Sequence, residues 1–280
     1  MAGKLYLCGT PIGNLEDITF RVLSTLKSCD VIYAEDTRHS IRLLNHFEIS
    51  KPLHSYHEHN QVVAGKEILE KLKNGERIAL ITDAGMPGIS DPGEALVKLC
   101  IQEALDFEVV PGVTAFTTAL VGSGMDTTKF AFEGFLNRDK KIRKERLEKI
   151  KKETRTLIFY ESPHRIKETL RAMMDVIGDR QIVIARELTK KYEEYIRGLI
   201  SEVLVIFEQQ EVRGEMVIVL SGYVETAEDL MCYNPEESVQ DHVKRYMSEG
   251  LDKKEAMRCV SKERKIKKSD IYAMMLDEID

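Results

Sequence analysis

The segment that most constrains this chain is Arg77-Ile78-Ala79-Leu80-Ile81-Thr82, a nearly unbroken apolar run that breaks at once into Asp83-Ala84-Gly85-Met86-Pro87-Gly88-Ile89-Ser90-Asp91-Pro92-Gly93. A strand apolar at successive positions has no solvent face, so it belongs in a parallel sheet covered on both sides. The loop behind it combines glycines, which let backbone approach a ligand, with prolines, which fix φ. In an open α/β sheet the carboxyl ends of strands are where ligands bind. The loop is neither G-x-G-x-x-G nor a P-loop, so dinucleotide and nucleoside triphosphate binding do not follow from it.

Two more loops of this kind appear. Gly9-Thr10-Pro11-Ile12-Gly13-Asn14 leaves the run Leu5–Cys8, and Pro111-Gly112-Val113-Thr114-Ala115 leaves Glu108–Val110. Three such loops after three strands predict one backbone-lined site at a common sheet edge. Between them, Val31–Ala34 reads as a strand and the spacing over Gln61–Lys73 predicts a helix closed by Asn74-Gly75. Asp91-Pro92-Gly93 offers an N-cap for a helix over Glu94–Ile101, and Thr114–Val121 is a helix of small residues. Strand–helix alternation predicts a mainly parallel α/β domain over residues 1–122.

The texture changes around Gly122–Asn137. Strands are expected at Thr156–Tyr160, Gln181–Arg186, Glu194–Gly198 and Glu215–Leu220, with helices at His164–Val176 and Leu199–Gln209. The short step from Arg186 to Glu194 suggests an antiparallel hairpin, hence a second, mixed α/β domain over 123–222. Residues 223–280 read as an acidic linker, Val224–Pro235, followed by three short helices: Val239–Ser248, Lys253–Glu263, and Ile271–Glu278 opened by Lys268-Ser269-Asp270. They resemble a helix-turn-helix bundle.

Five scattered cysteines without a C-x-x-C argue against a disulfide framework and a structural zinc, and point to the reducing cytoplasm. No apolar run reaches membrane-span length, so no membrane partner is expected. The net charge of −6 hides an asymmetry. Arg138–Lys152 holds nine Lys/Arg against three Asp/Glu, and Gln240–Lys268 ten against five. Two basic segments on an otherwise acidic chain suit a phosphate-rich partner, although each by itself also reads as a solvated helix face.

The blocks Gly9–Leu15, Ala34-Glu35-Asp36-Thr37-Arg38, Ser55-Tyr56-His57-Glu58-His59-Asn60, Thr82–Gly93, Pro111–Ala115 and Phe159-Tyr160-Glu161-Ser162-Pro163-His164-Arg165 resemble the tetrapyrrole-methylase superfamily of S-adenosylmethionine-dependent enzymes. The polar blocks resemble its ribosomal RNA branch, which methylates a ribose 2′-hydroxyl of a decoding-centre cytidine. The resemblance spans residues 4 to about 222, and the helical tail is similar to that branch's C-terminal extension. It implies a homodimer of two α/β domains acting on RNA of the small ribosomal subunit. It also implies S-adenosyl-L-methionine held by Pro11, Asp83, Ala84, Gly85, Ile89, Thr114 and Ala115 of the first domain, with Tyr160 and Gly214 of the second. Many members have Gly-Asp-Pro where this chain has Thr82-Asp83-Ala84-Gly85, so the aspartate is kept in altered surroundings.

A ribose hydroxyl is a poor nucleophile until a base takes its proton or nearby charge lowers its pKa. Glu35, Asp36, His57, Glu58 and His59 are proton acceptors in the polar blocks, and Asp36 or His57 is the expected base. Asp36 with Arg38 also reads as an ordinary ion pair, and His57 as an oriented loop histidine. Arg38 and Lys190 are expected to stabilise developing charge, and Arg165, Arg186 and His59 to contact substrate. Arg165 opens a helix, a natural anion position, but lies in reach of Glu161 and Glu168. His57 and His59 are spaced for one strand face, yet no third ligand accompanies them, so no metal is expected. Two rivals remain at this point: methylation of a tetrapyrrole carbon, and a non-catalytic RNA-binding protein on the same fold.

Overall fold

The computed structural model describes residues 3–209, 212–225, 234 and 236–275. In the first half, β1 (Lys4–Cys8), α1 (Phe20–Ser28), β2 (Val31–Ala34), α2 (Thr37–His46), β3 (Leu53–Ser55), α3 (Gln61–Lys73), β4 (Arg77–Ile81), α4 (Glu94–Gln102), β5 (Asp106–Val110) and α5 (Ala115–Ser123) follow one another. The five strands form one sheet in the order β3-β2-β4-β1-β5, with every pairing parallel. Strand β4 lies at its centre, with Ile78 opposite Leu5 and Val31.

Period-two alternation between two covered faces explains why β2 and Ile78–Ile81 of β4 are apolar throughout. Ile78, Leu80, Val31 and Tyr33 point into a core with Ile68 and Leu72 of α3 and Leu96 of α4. Their neighbours Ala79, Ile81, Ile32 and Ala34 point the other way, onto Val22 and Leu26 of α1 and Leu44 of α2. The helices α1 and α2 and the short edge strand β3 were not expected from the sequence. Helix α2 does carry a local signal, since Asp36 is its N-cap and accepts from the Arg38 N–H at 2.8 Å.

Asp91 is not the cap of α4: that helix starts at Glu94, and its N-cap position is Gly93 at φ +152°. A Cβ on Gly93 would stand 2.9 Å from the Gly88 nitrogen, so the loop folds back on itself and carries Asp91 away from the helix end.

The second half contributes β6 (Phe130–Phe135), α6 (Lys140–Ile150), β7 (Thr156–Glu161), α7 (Ile166–Ile177), β8 (Gln181–Arg186), β9 (Glu194–Leu199), α8 (Ile200–Gln209) and β10 (Met216–Leu220). Their order is β6-β7-β10-β8-β9, with β6–β7 parallel and the rest antiparallel, so the sheet is mixed as expected and β8–β9 is the hairpin. Strand β10 is buried at all five positions. The basic segment at Arg138–Lys152 is mostly α6, capped by Asp139, with Arg143 buried against Glu168 at 2.7 Å.

Helix α5 leaves the first sheet and packs on the second, where Ala119 and Leu120 meet Ile158, Val183, Val217 and Val219. Gly122 lets it approach, because a Cβ there would fall 2.3 Å from the Tyr195 ring. Residues 1–222 accordingly form one compact unit that holds both sheets.

Residues 223–280 form a second unit. Its helices α9 (Val239–Ser248), α10 (Lys253–Arg264) and α11 (Lys268–Met274) enclose Val243, Ala256, Val260 and Ile271. Ser238 and Asp252 cap the first two. Most of the expected linker, Cys232 within it, and the end of the last expected helix lie outside the described residues.

Candidate active site

The three Gly/Pro loops meet at the carboxyl ends of β1, β4 and β5. Thr10 and Gly85 exchange both backbone hydrogen bonds, at 2.9 and 3.1 Å, and the Thr10 hydroxyl donates to the Thr82 carbonyl at 3.1 Å. Gly9 touches both other loops: a Cβ on it would lie 2.6 Å from Met86 Sδ and 2.8 Å from Gly112. Gly85 turns the central loop at φ +84°, a left-handed conformation that favours glycine.

Between these loops and the second sheet lies a cavity of about 490 Å³. Asp83, Ala84, Gly85, Ile89, Thr114 and Ala115 line it from the first half, and Tyr160, Lys190 and Gly214 from the second. Pro11 does not reach it, but its neighbour Ile12 does. Tyr160, at the end of β7, stands edge-on to Phe132 at 4.9 Å and Phe135 at 5.5 Å, forming an aromatic wall. Opposite the loops, Gly214 sits at φ +79°, where a Cβ would collide with the Glu187 carboxylate 2.1 Å away. Three non-glycine residues near the rim, Ser90, Glu187 and Thr189, also have positive φ, and such strain concentrates at functional sites.

The wall is acidic. Glu35, Asp83, Asp91, Glu161, Glu187 and Glu215 all line it; among the described residues its one cation is Lys190, 3.0 Å from Glu187 Oε1. Burial, reinforced by Glu35, Asp83 and Glu215, pushes the Asp91 carboxyl up to about 7. Burial and then Asp83 raise Glu35 as well, against the Asp83 backbone N–H and His57. Burial pushes the Tyr160 phenol up to about 12. Glu161 has an internal role, accepting from the Ser162 N–H at 2.8 Å and the Thr169 hydroxyl at 2.6 Å. Sequence reading missed Asp91, Glu187 and Glu215 as site residues, because only the second sheet's approach gathers them.

The remaining expected residues lie outside the cavity wall. The Asp36 carboxylate faces Arg38, whose guanidinium donates to it at 2.7 and 3.1 Å and holds it well below the usual carboxylate range. Its backbone N–H donates to Asp83 Oδ1 at 3.2 Å. His57 is placed by its own N–H, which donates to Asn60 Oδ1 at 2.8 Å, while its buried Nδ1 has no hydrogen-bond partner. His59 is exposed, with its ring 6.0 Å from that of His57. Arg165 donates to the Leu136 carbonyl at 2.7 Å and lies 3.6 Å from Glu161, so it staples β6 to α7. Arg186 pairs with Glu194 across the β8–β9 ladder.

A site of this size accommodates a small-molecule ligand, and its charge favours a cation. Backbone groups of Asp83–Gly85 and Thr114–Ala115 can hold such a ligand against the Tyr160 wall. The family profile of the tetrapyrrole (corrin/porphyrin) methylases matches residues 4–204. Ribosomal RNA small subunit methyltransferase I of Bacillus subtilis is 48% identical over 271 residues, which cover 96% of this chain and 93% of that one. The protein of the same name from Thermotoga maritima is 50% identical over 220 residues, 79% of this chain but 99% of its own. In fold, the chain is similar to diphthine synthase (TM-score 0.61, 12% identity, 82% of this chain and 94% of that one). Uroporphyrin-III-C-methyltransferase from Thermus thermophilus gives a TM-score of 0.57 at 18% identity, over 78% and 94% of the two chains. The chain belongs to the tetrapyrrole methylases and, within them, to the ribosomal RNA small subunit methyltransferase I family.

Proposed function

We propose that this protein transfers a methyl group from S-adenosyl-L-methionine to the 2′-hydroxyl of a cytidine ribose in small-subunit (16S) ribosomal RNA, acting as a cytoplasmic homodimer. The observation that carries the reading is the near-full-length identity to relatives of that name, joined to a cavity whose wall is acidic. The cofactor supplies an electrophilic methyl on a positively charged sulfur. The carboxylates of Glu35, Asp83 and Glu215 complement such a charge, and Ala84, Gly85, Thr114 and Ala115 offer backbone close enough to orient it. The name carried by the near-full-length relatives favours RNA over a tetrapyrrole as the substrate.

Of the expected bases, His57 is the better placed. Its Nδ1 is buried without a partner and it lies beside Glu35, whereas the Asp36 oxygens are taken by Arg38 and by the cap of α2. A ring nitrogen with no protein partner is available to take a proton. Lys190 reaches the cavity and can offset charge developing on the ribose oxygen; Arg38 is exposed and reaches substrate only by leaving Asp36. Arg165, Arg186 and His59 remain proposed substrate contacts, the two arginines doing so only by exchanging their internal partners.

Calorimetric titration of the protein with S-adenosylmethionine, then labelled methyl transfer to 30S subunits, naked 16S rRNA and uroporphyrinogen, tests the reading. Transfer to 30S subunits or rRNA, blocking ribose 2′-oxygen chemistry at one cytidine, is expected. Tight cofactor binding without any such transfer overturns it. Sedimentation of the free protein checks the dimer.

A further inference from the structure

Asp83 and Asp91, Glu35, and Glu215 come from three segments: the loop between β4 and α4, the residue after β2, and the residue before β10. They face one cavity, which the Tyr160 side chain also lines. No hydrogen bond or ion pair joins Asp91 to another described residue, and Lys190, the cation of the wall, is engaged by Glu187. Carboxyl groups that face one cavity disfavour the charged form of Asp91, and a positive charge among them favours it. Burial is the largest influence on Asp91, and the charges of Glu35, Asp83 and Glu215 act in the same direction.

Resting on the cofactor reading above, we propose that Asp91 is a specificity-determining residue that exchanges its proton for the positive charge of the cofactor's sulfonium. A cation in the cavity favours the ionised form of Asp91, so its binding expels the Asp91 proton. S-adenosylhomocysteine has the same adenosyl and amino-acid parts but a neutral sulfur, and it leaves that proton in place. The cavity thereby separates cofactor from spent product by one unit of charge, and the separation depends on pH.

The sign follows from linkage. The cation favours ionised Asp91, so below about pH 7 its binding must remove a proton and is weakened, while above that value the carboxylate is already charged. The preference for S-adenosylmethionine over S-adenosylhomocysteine therefore rises about tenfold between pH 6 and pH 8 and then levels. At pH 7 the cofactor releases about half a proton more than the product does.

The test is isothermal titration of the full chain with each compound, in two buffers of different ionisation enthalpy, at pH 6, 7 and 8. Greater proton release for S-adenosylmethionine, lost in Asp91→Asn, supports the proposal. Equal release for the two compounds in the unaltered protein overturns it, and needs no variant. So does a release that persists in Asp91→Asn when Glu215→Gln abolishes it, which would move the proton to another carboxyl. A protein that binds no S-adenosylmethionine at all overturns the cofactor reading and this proposal together. One that binds it and methylates 30S subunits without the differential release overturns this proposal alone.

Discussion

The backbone N–H of Asp36 donates to Oδ1 of Asp83 over 3.2 Å, so the loop after β2 hangs on the loop after β4. One side chain thus belongs both to the cavity wall and to the scaffold that presents the Glu35–Arg38 and His57 regions beside it. The Asp36 carboxylate turns the other way, onto α2 and Arg38.

Replacing Asp83 separates these two roles. Asp83→Ala removes an acceptor from a backbone N–H together with cavity charge, and cofactor affinity is expected to fall about 10- to 100-fold. Asp83→Asn keeps an acceptor for Asp36 and should recover part of that loss. Calorimetric titration of both variants checks the order.

His57→Ala and Asp36→Ala should differ in kind. Loss of a general base lowers turnover about 10²- to 10⁴-fold with cofactor affinity nearly unchanged, and this is expected of His57. Loss of a helix cap lowers the melting temperature by ~2–4 °C, and this is expected of Asp36. Single-turnover methyl transfer and thermal melts separate the two. Equal loss of turnover with no change in melting for Asp36→Ala would return the base to Asp36.

Gly9→Ala tests whether the three loops must touch. The added methyl would meet Met86 and Gly112 at once, and both lie on the loops that frame the cavity. Overpacking of this sort costs about 1–3 kcal/mol, and cofactor affinity should fall at least about tenfold because the cradle opens. Gly250→Ala, where no atom lies within 4 Å but φ is +101°, is a control that strains only the C-terminal unit.

Deleting residues 223–280 is expected to leave a folded protein that binds cofactor. The first unit has its own cores, and the Thermotoga maritima relative matches over 220 residues that make up nearly its whole length. If the basic helices contact phosphates, RNA affinity weakens and the slope of log affinity against log salt falls by about 0.9 per lost contact. An unchanged slope would leave α6, with exposed Lys141, Lys144 and Lys149, as the remaining basic surface.

Much of the first sheet was legible in the sequence because its causes are local. Ile78–Ile81 is apolar at every position because both faces are covered, and the loops after β1, β4 and β5 carry the glycines that close approach requires. Helix α3 and strand β8 also lie at their expected bounds, since periodicity and end signals sit within their own residues. Helices α1 and α2 and strand β6 were less legible, being short and framed by weak signals. The roles of the charged residues were decided by tertiary structure. Asp91 reads as a helix cap from Pro92 and Gly93, yet the fold sets it among carboxylates from distant segments; Arg165 reads as an anion site, yet folding gives it the Leu136 carbonyl and Glu161. Backbone geometry answers to near neighbours along the chain. The state of an ionisable group answers to whatever charge and solvent the fold leaves around it, and so the Gly/Pro loops announced where the site is while only their meeting with the second sheet determined its charge.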